Sequence, residues 1–445
     1  KKGYLYFFRN KYIMAEHEII KINDFQIVLN KNRKSKTTMV EAYISNGFIH
    51  ENKENAGITH LLEHIITESW KKCGTKGCTN YWKKKGVLTN ASTGQTNTQY
   101  YMHGLSDYTD EMVDYITSIC TFPIITASRT RKEKKAVHNE LLMHQTYPAN
   151  PLYNLMNSML FRQDGLIVQD DTKLQIKNLK NITVEHLKKW FHKFYGAGNI
   201  VFVISGDFSK SSIMPILKRR LSKAPAIRII PKYNDIFTVG NDVKFLKNEN
   251  IENTTIMFAF HSQLYQKDME IFYIDFFKEF IGSGITSLIM EELREKKQLI
   301  YNVGLDNYTT PYGTYITIEI SCKNKDIEDV VKGALKILKK LATGKFDTEY
   351  LNYVKQAYMV EHYETCLNNN YLSGFFGEQY INQIYNFEQK PIILSFDKVA
   401  QSILALTKIN FVLFIKKLLI FSNMKLAYQG KREVRNLPQL VLRRI

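Results

Sequence analysis

The sequence is poor in cysteine and lacks any long apolar run. Five cysteines in 445 residues are too few and too scattered for a disulfide framework, and they favour a reducing compartment. No stretch approaches the ~20 consecutive apolar residues of a transmembrane helix. The aromatic run from Tyr4 to Phe8 is too short for a signal peptide. We therefore expect a cytoplasmic protein without a membrane span.

Acidic residues are scarce relative to basic ones. The chain has 43 Asp and Glu against 61 Lys and Arg, a formal net charge of +18. Most of the surplus is lysine in short dispersed groups such as Lys83 to Lys85, which is typical of a solvated surface. Nucleic-acid-binding proteins instead favour arginine concentrated on one element. We expect no nucleic-acid partner; a basic nucleic-acid binder, recognisable by steeply salt-dependent affinity, is kept as an alternative.

Apolar residues are abundant, and part of the sequence repeats. The chain is 44% hydrophobic and 13% aromatic, the level at which chains collapse around a core. The segment Gly57–His64 reads GITHLLEH, and Gly284–Glu291 reads GITSLIME. In the same way Asn199–Gly206 resembles Asn423–Gly430. Two such matches predict a duplicated unit of about 220 residues.

The repeat predicts two domains, residues 1–225 and 226–445, that meet in a segment containing Pro225, Pro231 and Gly240. Each half mixes two periodicities. Runs rich in β-branched and aromatic residues, such as Thr314–Ile320, predict strands. Longer segments with apolar residues at i, i+3 and i+4, such as Ile327–Leu341, predict helices. We expect an α+β fold, with helices packed on a sheet in each domain.

The most informative motif is His60-Leu61-Leu62-Glu63-His64. On a helix His60 and His64 project from one face and can share a metal ion, with Glu63 beside them. Two imidazoles, a carboxylate and an open position form a catalytic zinc site. A nearby Glu can then accept a proton from the water that attacks a carbonyl. The motif is the inverted counterpart of H-E-x-x-H of zinc peptidases.

A third ligand is required, and the helical segment 131–145 offers candidates. Glu140 would bind the metal, and Glu133, two turns earlier on the same face, would orient a ligand. His144 and His138 are rivals that spacing alone does not exclude.

Together these residues resemble the pitrilysin/insulinase family of zinc metallopeptidases (inverzincins), in particular its short members related to the mitochondrial processing peptidase β subunit and bacterial half-length homologues. Asn90 and Ala91 resemble the family's strand that pairs with substrate. Arg294 and Tyr301 resemble its Arg/Tyr pair, which contacts the substrate backbone and the tetrahedral intermediate.

The resemblance implies one Zn²⁺ per chain and a mainly antiparallel sheet of about six strands in each domain. Four such domains form a clamshell, so a two-domain chain implies a homodimer, or a heterodimer with a homologous subunit. Arg294 and Tyr301 of one subunit would complete the zinc site of the other. The implied function is endopeptidase activity on short or unfolded peptides, with peptide maturation by leader trimming as one role. The alternative is a non-catalytic peptide-binding or scaffold subunit of a heterodimer.

Overall fold

The computed structural model describes residues 16–147, 149–226, 233, 236–265, 268–282, 287–384 and 393–444. Gly284 to Thr286, which belong to the predicted repeat, and Pro231, in the predicted domain boundary, lie outside the described residues. Within the described residues no helix is both long enough and apolar enough to cross a membrane.

The elements follow one another in chain order. The first half contains β1 Glu16–Ile22, β2 Phe25–Lys31, β3 Thr37–Ile44, α1 Ile58–Thr67, α2 Cys78–Lys83, β4 Leu88–Thr93, β5 Thr98–Leu105, α3 Thr109–Thr121, α4 Ala127–Gln145, α5 Asn150–Leu160, α6 Asp164–Ile167, α7 Thr172–Leu179, α8 Val184–Phe194, β6 Ile200–Gly206 and α9 Lys210–Leu221. The second half contains β7 Asp242–Lys247, β8 Thr254–Ser262, α10 Tyr273–Ile281, a π-helix Met290–Glu295, β9 Ile300–Thr310, β10 Gly313–Cys322, α11 Ile327–Ala342, α12 Thr348–Thr365, α13 Asn369–Gln383, α14 Phe396–Ala405, α15 Lys408–Leu418, β11 Lys425–Gly430 and α16 Leu437–Leu442.

The strands form two mixed sheets. The first has the order β1-β2-β6-β3-β5-β4 and the second the order β7-β11-β8-β10-β9. All neighbours are antiparallel except β2 with β6 and β7 with β11. The α+β prediction is confirmed, and so are the individual strands and helices that the periodicities indicate. The second sheet has five strands in the described part of the chain, where the resemblance implied about six.

One helix of each half packs on the sheet of the other half. Helix α13, from the second half, covers one face of the first sheet through an apolar cluster that includes Phe376, Val28 and Val203. Helix α5, from the first half, covers the second sheet through a cluster that includes Met156 and Met257. The core of each half is therefore completed by the other half. The division at 225/226 remains a prediction.

A local disulfide joins Cys73 to Cys78 in the segment between α1 and β4. It does not amount to a disulfide framework, but it runs against the reducing compartment that the cysteine content favours. Cys120, Cys322 and Cys366 are free.

Candidate active site

Helix α1 carries the motif and is fixed at both its apolar face and its first turn. Leu61, Leu62 and Ile65 are buried in the first core, so the histidines are left on the opposite side. The buried carboxylate of Glu51 accepts hydrogen bonds from the backbone N–H groups of Gly57 and Thr59, at 2.8 and 2.9 Å. These bonds satisfy donors that a helix start leaves unpaired.

His60, His64 and Glu140 converge. The two Nε2 atoms are 3.2 Å apart, and they lie 3.5 Å (His60) and 3.2 Å (His64) from the two carboxylate oxygens of Glu140. Donor atoms bound at about 2.0–2.2 Å to a tetrahedral zinc lie about 3.3–3.6 Å from one another. The three side chains therefore fit a zinc ion in donor type and in spacing. Among the His, Cys, Asp and Glu side chains of the described residues, these three form the group whose donor atoms lie close enough together to hold a metal ion.

In this cluster the imidazoles favour the charged form of Glu140, and the carboxylates favour the charged form of His64. Hydrogen bonds from His60 and His64 hold the pKa of Glu140 well below its ordinary value. Burial disfavours the charged form of His64, but the carboxylates of Glu133 and Glu140 outweigh it and raise its pKa to about 9. Nδ1 of His64 lies 3.8 Å from Glu133, so Glu133 is on the far side of that imidazole from Glu140, where an orienting residue is expected.

The two rival ligands fall outside the cluster. His144 lines the same cavity, but its Nε2 is 3.9 Å from Glu140 Oε1 and it is not one of the converging residues. His138 is described by the structure and does not line the cavity. The packing of α4 on α1 thus favours Glu140.

Glu63 is buried beside the cluster and held by a strand. Oγ1 of Thr93, at the end of β4, donates a 2.6 Å hydrogen bond to Glu63 Oε2. Burial raises the pKa of Glu63, although His60 and the Thr93 hydrogen bond act in the opposite direction. Sequence reasoning missed the roles of Thr93 and Glu51. Both contacts join distant segments, and no local motif signals either of them.

The cluster opens into a cavity of about 510 Å³ whose wall includes Asn90 and Ala91 of β4. Strand β4 pairs with β5 on one side and is the edge of the sheet on the other. Side chains along it alternate between exposed and half-buried. The edge leaves backbone groups available to an added strand.

Arg294 and Tyr301 lie apart from this cavity. Arg294 is on the π-helix and Tyr301 is the second residue of the edge strand β9. Both side chains are about half exposed. Neither is among the residues that line the cavity of the same chain.

Comparison with known proteins identifies the family of the chain. Residues 26–168 match the model described as insulinase (peptidase family M16), and residues 181–358 match the peptidase M16 inactive domain. The chain belongs to the M16 peptidase family. The inactive-domain match covers the segment in which Ser287, Met290 and Glu291 stand where the first half has His60, Glu63 and His64.

Relatives in the M16 family carry several kinds of name. An uncharacterized zinc protease of Rickettsia felis is 26% identical over 64% of this chain and 68% of its own. The mitochondrial-processing peptidase β subunit of Dictyostelium discoideum is 21% identical over 74% and 72%. A Helicobacter pylori protein called a non-peptidase homolog is 22% identical over 58% and 61%.

Solved structures show the same M16 half-clamshell fold. A protease from Helicobacter pylori superimposes with a TM-score of 0.81 at 16% identity, covering 94% of this chain and all of its own. The peptidase M16 inactive domain from Pseudomonas fluorescens gives 0.80 at 15% identity, covering 94% and 98%.

Proposed function

We propose that this M16 chain is a zinc-dependent endopeptidase that cleaves short or unfolded peptides. The observation that carries the proposal is the convergence of His60, His64 and Glu140 at zinc-ligand spacing, with Glu63 buried beside them. When bound there, zinc supplies a Lewis acid that polarises a carbonyl and makes a water more acidic.

The substrate binds as an added strand on β4. Its backbone hydrogen bonds with Asn90 and Ala91 are indifferent to side chains, so sequence selectivity is weak. In the free chain the Ala91 N–H donates to Asn90 Oδ1 at 2.9 Å, and a substrate carbonyl takes over that bond. In this proposal the scissile carbonyl lies near the end of β4, where Thr93 contacts Glu63.

Glu63 accepts a proton from the attacking water and returns it to the leaving amine, a general base followed by a general acid. Thr93 keeps the carboxylate oriented toward the cluster. Arg294 and Tyr301 stabilise the developing oxyanion. Because they do not line the cavity of their own chain, we propose that they act on the zinc site of a partner subunit in a dimer.

A homodimer is the simplest such assembly, since one chain carries both sets of residues. A heterodimer is the alternative, because relatives include proteins named as subunits, among them the mitochondrial-processing peptidase β subunit and a cytochrome b-c1 complex subunit of Bos taurus. A non-catalytic subunit is the second candidate function, favoured by the relative called a non-peptidase homolog. Cytoplasmic location and a role in peptide maturation remain predictions.

Zinc content and cleavage of a quenched fluorescent peptide library separate these candidates. We expect about one zinc per chain in the wild type and in Glu63→Gln, with cleavage reduced about 10²–10⁴-fold in the variant. Glu54→Gln, an exposed carboxylate on the loop before α1, is the matched control and keeps full activity. Absence of zinc, or equal cleavage by Glu63→Gln, would overturn the proposal in favour of a non-catalytic subunit.

A further inference from the structure

The duplicated halves differ in what covers their equivalent helices. In the first half a long segment, residues 68–87, separates the motif helix α1 from β4. In the second half only residues 296–299 separate the π-helix from β9. Strand β5 and helices α3 and α4 of the first half correspond in order to strand β10 and helices α11 and α12 of the second half. The second half therefore has these helices without the covering segment.

In the first half the covering segment inserts aromatic side chains. Trp70 and Trp82 stack on each other, with ring centroids 5.6 Å apart, and both meet the ring of Tyr115 on α3 at 5.4 and 5.5 Å. All three are buried.

In the second half, the position equivalent to Tyr115 is a glycine, Gly333. Tyr115 and Gly333 hold the same place counted from the first residues of their helices, Thr109 and Ile327. Leu293 lies directly against Gly333, where a Cβ atom would come within 2.5 Å of it. Beside this contact is a cavity of about 300 Å³ between the π-helix, α11 and the start of α12. Its apolar wall consists of Leu288, Leu293, Ile337, Leu341, Phe346 and Tyr350.

Four lysines surround this apolar wall: Lys297, Lys336, Lys340 and Lys345. All four are exposed, and their ammonium groups have no ion pair with a carboxylate of the described residues. The acidic groups of the rim are already engaged. Glu291 and Glu292 pair with Lys296 at 2.8 and 2.6 Å, and Asp347 caps α12 through the N–H of Glu349 at 2.9 Å.

We propose that this cavity binds an acidic peptide segment of a partner protein and takes up its aromatic side chains. The aromatic groups fill the space that Trp70 and Trp82 occupy on the equivalent helices of the first half. The carboxylates of the peptide form ion pairs with the four lysines, of which Lys297 and Lys340 attract Glu292 only at longer range in the free protein. The site is separate from the zinc cluster, so binding does not depend on the proposed peptidase function.

Fluorescence anisotropy of the full-length protein with a labelled peptide Glu-Glu-Trp-Gly-Glu-Trp-Glu tests the proposal. We expect saturable binding below about 100 µM. Replacing both tryptophans of the peptide by alanine should abolish binding. Lys336→Glu/Lys340→Glu should weaken binding at least about tenfold, because each reversal removes an attraction and adds a repulsion. Lys188→Glu/Lys218→Glu, exposed lysines of α8 and α9, changes the net charge equally and should leave binding unchanged.

Gly333→Tyr restores the side chain of the first half and should also prevent binding. Its circular dichroism melt reports whether it folds, and the exposed lysine variants keep the test independent of that result. No saturable binding by the wild type, or equal binding of the alanine peptide, overturns the proposal. Equal loss in the two lysine pairs does so too, since it would show attraction to net charge alone. Binding of free indole-3-acetate with no binding of the peptide would overturn the peptide as occupant.

Discussion

Oε2 of Glu140 lies 3.2 Å from Nε2 of His64, although the two residues belong to different helices and are far apart in sequence. If Glu140 is the third zinc ligand, Glu140→Gln should weaken zinc binding by about 100-fold or more, because an amide is a far poorer ligand than a carboxylate. Competition with a chromogenic chelator measures the affinity.

The neighbouring His144 provides the control for this measurement. It lines the same cavity and lies within 3.9 Å of Glu140. His144→Gln should weaken zinc binding less than Glu140→Gln does, because His144 reaches the cluster only through its 3.9 Å contact with Glu140. A larger loss for His144→Gln than for Glu140→Gln would make the histidine the ligand.

The edge of β4 is expected to hold substrate through backbone groups. Ala91→Pro removes the Ala91 N–H, and we expect kcat/KM to fall about tenfold or more with zinc content unchanged. Ala91→Gly retains the N–H and should stay within about threefold of the wild type. Equal activities of the proline and glycine variants would exclude this strand as the substrate platform.

Arg294 and Tyr301 are predicted to serve the zinc site of a partner chain. Glu63→Gln and the double variant Arg294→Ala/Tyr301→Phe should each be inactive. A mixture of the two should recover up to about a quarter of wild-type activity, since random exchange gives half heterodimers with one intact site each. Mass spectrometry of the intact complex verifies subunit exchange. Exchange without recovery would show that the sites are not shared.

Because one helix of each half packs on the sheet of the other half, we predict that neither half folds alone. Without α13, residues 1–225 expose Val28, Val201 and Val203. Each exposed side chain costs about 1.5–3 kcal/mol, and domains are stable by only about 5–15 kcal/mol. We expect 1–225 to be insoluble or to melt without cooperativity, and co-expression with 226–445 to yield a soluble complex. A cooperative thermal transition of 1–225 alone would contradict this.

The disulfide predicts a thiol count. Denatured, unreduced protein should react with iodoacetamide at Cys120, Cys322 and Cys366 only, and at Cys73 and Cys78 after reduction. Cys73→Ser/Cys78→Ser should lose about 2 kcal/mol in urea unfolding, because the bond closes a short loop in the unfolded chain. Cys366→Ser, outside the disulfide, should change stability by less than about 0.5 kcal/mol. Five reactive thiols before reduction would show that the disulfide does not form.

The sequence alone determined what depends on local spacing. The placement of His60 and His64 on one helical face follows from their separation, and individual elements such as the strand at Thr314–Ile320 and the helix at Ile327–Leu341 follow from residue composition and apolar periodicity. The sequence also predicts a duplication, because Gly57–His64 and Gly284–Glu291 share four of eight residues, while His60, Glu63 and His64 occur only in the first segment.

Only the tertiary structure decided which residues of distant segments meet. Glu140, His144 and His138 share one helix, and the way α4 packs on α1 singles out Glu140. No local sequence pattern signals the hydrogen bond that Thr93 donates to Glu63, or the one that the start of α1 donates to Glu51. The same is true of α5 and α13, each of which packs on the sheet of the other half. Periodicity reports the buried face of an element, but the identity of its neighbour is set by packing of the whole chain.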